Sequence, residues 1–110
     1  MGARLAPLIG ARPQEVLAAD STSVNLFKLL VAALEPRPGR RLIVSEAGNF
    51  PTDRYLVDGV CRLLGRGHAP RWVEGAADEA AIEAALDEDV ALLVLTQVDY
   101  RSGRKLDLAR

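Results

Sequence analysis

Residues 20–25, Asp20-Ser21-Thr22-Ser23-Val24-Asn25, set three hydroxyls just ahead of an apolar stretch with helical spacing. The free N–H groups and the dipole of a helix N-terminus favour anions, so hydroxyls added there make a cradle for phosphate. The same residue types are the preferred helix caps, and the stretch alone suits either role. Phe50 stands between Asn49 and Pro51 in a loop. There it can plug a gap between loop and helix or offer a flat surface to a planar ring. Asp53 falls in the first turn of the helix that Pro51 opens, where negative charge is favoured. Thr96 ends the most apolar run of the chain, and its hydroxyl can cap a strand or touch a ligand.

Other chemistries find little support. With one histidine and one cysteine, a metal-binding cluster has no basis and an internal disulfide is impossible. A reducing cytoplasm is therefore the expected compartment. Cys61 sits mid-helix among Val60, Leu63 and Leu64 and reads as a packed thiol, while His68 follows Gly-Arg-Gly in a loop. Neither a dinucleotide fingerprint nor a Gly-Lys-Ser/Thr phosphate loop occurs. The net charge of −1 gives no case for nucleic acid, and no apolar run nears the ~20 residues of a membrane span. A hydroxyl-and-helix cradle beside an aromatic face suits a phosphorylated planar cofactor, and pyridoxal phosphate fits. That cofactor needs a lysine for its Schiff base and an acid facing the pyridine nitrogen. Lys28 lies within an apolar helix and Lys105 near the end of the chain, so neither is expected to be that lysine.

The elements that must position these residues alternate between strand and helix. Residues 16–19 read as a short buried strand, 22–35 as a helix apolar on nearly every face, and 41–45 as a second strand. A helix from Pro51 carries Tyr55, Leu56, Val57, Val60, Leu63 and Leu64, and Gly65 and Gly67 close it. Residues 69–73 form a third strand, 77–86 a short helix and 90–95 a fully buried strand, with Asp107 opening a further helix. Such alternation predicts an α/β fold, a mostly parallel sheet in three layers. The loops 20–25, 46–53 and 96–103 would then gather at the strand C-terminal edge, where open parallel sheets bind ligands.

The blocks Gly10-Ala11-Arg12-Pro13, Asp20 to Leu29, Asn49-Phe50-Pro51-Thr52-Asp53 and Thr96 to Gly103 resemble the bacterial kynureninase family in order and spacing, over nearly the whole chain from Ile9. Gln97 and Asp99 are mild departures, standing where histidine and asparagine are common. The resemblance implies hydrolysis of L-kynurenine to anthranilate and L-alanine in tryptophan degradation and NAD-related pathways. It also implies a cytoplasmic homodimer of the aspartate-aminotransferase-like fold, with pyridoxal 5′-phosphate as cofactor. Thr22 and Ser23 match the positions that bind the phosphate region, and Phe50 the aromatic that stacks on the pyridine ring. Pro51, Thr52 and Asp53 match the lining of the cofactor site, and Thr96 a further cofactor-contacting hydroxyl. The family's remaining machinery, including its Schiff-base lysine, is expected beyond Arg110. Residues 1–110 then read as part of the cofactor-binding large domain, inactive alone and marginally stable. Two alternatives stand beside this: another fold-type-I enzyme such as a cysteine desulfurase, and a stand-alone Rossmann-like module binding a phosphorylated ligand.

Overall fold

A computed structural model describes residues 1–74 and 78–109. Its centre is a parallel sheet of β1 (Leu42–Glu46), β2 (Ala69–Val73) and β3 (Val90–Val94), in the order β2-β1-β3. Helices α2 (Thr22–Leu34) and α3 (Pro51–Leu64) cover one face, and α4 (Glu79–Ala84) lies on the other. The fold is therefore the expected α/β arrangement of parallel strands between helical layers.

Side-chain alternation along β1 explains the layering. Ile43 points into the cluster built by Leu30, Leu34, Val57, Val60 and Cys61. Its neighbour Val44 points the other way, onto Val73, Ile82, Val90 and Leu106. Both are fully buried, and each such burial contributes about 1.5–3 kcal/mol. In α3, Leu56, Val57, Val60, Cys61 and Leu64 form one inward stripe. Gly65 ends that helix at φ 59°, a left-handed conformation that costs glycine nothing, and its N–H reaches the Cys61 carbonyl. Burial also pushes the Cys61 thiol up, in keeping with a packing role.

Strand β3 carries a bulge. Leu42 pairs with Val90 but Ile43 with Leu92, so Ala91 is the extra residue. Ala91 and Leu92 consequently both face the α2–α3 layer.

Five expectations are corrected. The strand expected over 90–95 as fully buried is β3 at the edge of the described sheet, where Leu93 is 37% exposed, because apolar content does not supply a covering neighbour. Residues 16–19 form no strand: Val16 and Leu17 pass beside Gly2 of α1 (Gly2–Leu5), and Leu17 is 86% exposed. An apolar run becomes a strand only where another strand takes its backbone hydrogen bonds, and among the described residues no strand pairs with it. Helix α2 is covered on one side only, through Leu26, Leu30, Val31 and Leu34, while Leu29 is exposed. The helix expected over 77–86 spans Glu79–Ala84, capped by Asp78, whose carboxylate accepts the Ala81 N–H at 2.8 Å. Ala77 lies outside the described residues. Asp107 opens no helix; instead Val98 bridges Lys105 and the Leu106 N–H donates to the Gln97 carbonyl, folding the segment back as a hairpin.

Candidate functional site

Two of the three polar loops meet at the C-terminal edge of the sheet. After β1 the chain turns through residues 47–50, and Pro51 opens α3 with its ring at the first helical position. Asn49 is buried in that turn, and its Oδ1 accepts the Phe50 N–H at 2.7 Å. The same oxygen accepts the Thr96 hydroxyl, also at 2.7 Å, across from the end of β3. The Asn49 amide nitrogen reaches the buried Ser45 hydroxyl at 3.4 Å. Phe50 and Tyr100 pack edge to face with ring centroids 5.0 Å apart, leaving Phe50 46% exposed. Phe50 is thus held at its backbone and still presents ring surface.

Residues 20–25 arrive by a different route. No strand precedes them, yet α2 delivers them to the same edge. Its last residue Leu34 and the following Glu35 share a cleft with Arg66 and His68, which follow the C-terminal end of α3. The two helices therefore run in parallel, and their N-termini lie at the same end of the sheet. No side-chain hydrogen bond or ring contact joins residues 20–25 to the other two loops among the described residues.

The capping question is answered within this stretch. Ser21 is the cap: its Oγ accepts the Val24 N–H at 3.3 Å. The N–H groups and hydroxyls of Thr22 and Ser23 have no partner among the described residues, which is the donor set a phosphate needs. Asn25 donates to the Ala19 carbonyl at 2.7 Å and fixes the entry of the chain. Asp20, at φ 43°, receives the Lys28 ammonium, so this lysine is held as a charged partner.

Around the edge the charges are uneven. Asp53 stands in the first turn of α3 with no side-chain partner among the described residues, and burial raises its carboxyl above the usual range. Burial likewise raises Glu46 at the end of β1, opposed by Arg104 and reinforced by Asp99. The hydrogen bonds of Ser102 hold Asp99 below the usual range while it closes the turn over residues 99–103. Thr52 and Pro51 are exposed at the rim. Arg101 lies over the Tyr100 ring at 5.1 Å rather than standing free in solvent.

Thr96, Phe50, Pro51, Thr52 and Asp53 are thus brought together, and Thr22 and Ser23 share their edge of the sheet. Asn49 and Tyr100 are the members that sequence reasoning missed. A buried asparagine gives no periodic signal, whereas an aromatic in the loop after β3 was a legible one.

No protein-family model matches the chain. It is similar to a kynureninase of Pseudomonas fluorescens, 44% identical over 98% of this chain and 26% of that protein. A kynureninase of Deinococcus radiodurans is 49% identical over 98% of this chain and 25% of its own length. One from Burkholderia mallei is 45% identical over 98% of this chain and 26% of its own. The chain spans about a quarter of the length of the curated relatives it matches. The similarity read from its motifs therefore extends over 98% of the chain, at 44–49% identity.

Proposed function

We propose that this chain supplies the phosphate-binding and ring-stacking part of a kynureninase, a hydrolase that splits L-kynurenine into anthranilate and L-alanine. The observation that carries this is the joining of Phe50 and Thr96 through one buried asparagine, in a chain 44–49% identical to kynureninases. The donor set fits pyridoxal 5′-phosphate, which supplies an electron sink for carbon–carbon cleavage when bound. Thr22 and Ser23 hold its phosphate with two hydroxyls and two N–H groups. Phe50 offers the ring face, Pro51 and Thr52 form the rim, and Asp53 and Thr96 complete the lining.

The reacting lysine comes from outside residues 1–110 on this reading. The engagement of Lys28 with Asp20 supports it, as does the exposed position of Lys105 in the terminal hairpin. The exposed Leu17, and the outer edges of β2 and β3 that no strand pairs among the described residues, support residues 1–110 as part of a larger cofactor-binding domain. A cytoplasmic homodimer working in tryptophan degradation follows from the same reading.

The test is to titrate the 110-residue chain with pyridoxal 5′-phosphate, reduce with borohydride and add L-kynurenine. Saturable binding, an unchanged protein mass and no anthranilate are expected. Cofactor-dependent anthranilate release, or an adduct on Lys28 or Lys105, would refute the division of labour.

A further inference from the structure

We infer that Asn49 is a positioning residue that turns Thr96 into a hydrogen-bond acceptor. The ligand group meeting Thr96 is then a donor and not a phosphoryl oxygen. The inference rests on the proposed function for the identity of the ligand, but its first half stands on geometry alone.

A backbone N–H can only donate, so the Phe50 N–H, 2.7 Å from Asn49, fixes which end of the amide is oxygen. Thr96 Oγ1 lies 2.7 Å from that same oxygen and must also donate to it. Threonine has a single hydroxyl proton, and here it is spent within the protein. Only lone pairs remain to face the crevice. Asn49 is 5% exposed, so water reaches the accepting oxygen poorly. Its amide nitrogen makes only a 3.4 Å contact to Ser45, so the accepting oxygen is the end that matters.

Phosphate is thereby directed away from Thr96 and toward the unpartnered donors of Thr22 and Ser23. Against Thr96 belongs an O–H or N–H of the ring portion. Asn49 sets both features at once: the polarity of the Thr96 hydroxyl and the placement of the Phe50 backbone. It touches no reacting atom and acts through those two residues.

The experiment compares wild type, Asn49→Leu and Asn49→Asp, with Thr96→Val as a second route should the leucine variant not fold. Proton NMR of the unliganded chain should show a slowly exchanging Thr96 hydroxyl close to the Phe50 amide. That resonance is lost in Asn49→Leu and retained in Asn49→Asp, whose carboxylate still accepts both bonds. Pyridoxal 5′-phosphate affinity should fall about tenfold in Asn49→Leu and Thr96→Val, and inorganic phosphate affinity by less than about twofold. Rescue by Asn49→Asp to within about threefold separates positioning from loss of structure. A protected Thr96 hydroxyl in Asn49→Leu, or phosphate affinity falling in parallel, would overturn the inference. A wild-type chain that bound no pyridoxal 5′-phosphate would sink the proposed function, while the hydroxyl resonance would still decide the Asn49 assignment.

Discussion

Ser21 and Thr22 are adjacent hydroxyl residues to which the structure gives opposite duties, and removing each in turn tests that split. Ser21→Ala deletes the acceptor of the Val24 N–H. The 3.3 Å bond is long and exposed, which puts its loss at the low end of capping energies, about 0.5–1 kcal/mol. For a chain of this size that lowers Tm by about 2–8 °C. Thr22→Ala removes no bond among the described residues and gains a few tenths of a kcal/mol in helix propensity. Its stability should hold or rise slightly. Its cost falls on ligand binding, where losing a hydrogen bond to a charged phosphate removes about 1.5–3 kcal/mol, or roughly ten- to hundredfold in affinity. Melting followed by circular dichroism reads the first effect, and calorimetric titration with pyridoxal 5′-phosphate the second. If both variants lose the same Tm, or Thr22→Ala binds within about twofold of wild type, cap and cradle are not separate groups.

Glu46 gives a pH signature. Its folded-state pKa is raised, so the native state binds its proton more tightly than the unfolded chain does. The stabilisation this brings is full below the unfolded value and disappears as pH rises through the folded one. Glu46→Gln should therefore raise Tm at pH 7, with the gain vanishing below about pH 4, as melts across that range will show. On the edge strand, Leu93→Lys places a charge on β3 at a residue 37% exposed, and should reduce aggregation in light scattering while costing some Tm through lost packing in the cleft it shares with Ile82, Leu86 and Leu106. Leu17→Lys should leave Tm unchanged, since no core contact is lost; a large drop would mean that residues 16–19 pack after all.

Much of the fold was legible because its elements are set by local pattern. β2 fell on residues 69–73 as read, and α3 followed from Pro51, a regular stripe and a closing glycine. Residues 16–19 misled because apolar content shows a wish for burial and not the presence of a partner. The helix expected at Asp107 failed for a similar reason, as Leu106 is buried by a hairpin made with Gln97 and Val98. In the site, Phe50 and Thr96 stood out by chemistry. Asn49 did not, because its work depends on a residue 47 positions away.

The bulge at Ala91 decides which single-residue losses from β3 this site would survive. Thr96 lies an even number of residues beyond Leu92 and so keeps that residue's face, the one shared with Ser45 and Asn49. Strand faces alternate, and a shift of one residue exchanges them. Deleting Ala91 would only remove the extra residue, leaving Val90 and Leu92 in plain alternation and Thr96 on its present face. Deleting Leu93 from the regular part of the strand would change no residue of the crevice, yet it would turn the Thr96 hydroxyl to the opposite side of the sheet. With Leu93 gone, Leu95 would take the inward place of Val94. The site is written in spacing as much as in residue identity, and a frame-preserving loss of three nucleotides could erase it while leaving every ligand-facing amino acid intact.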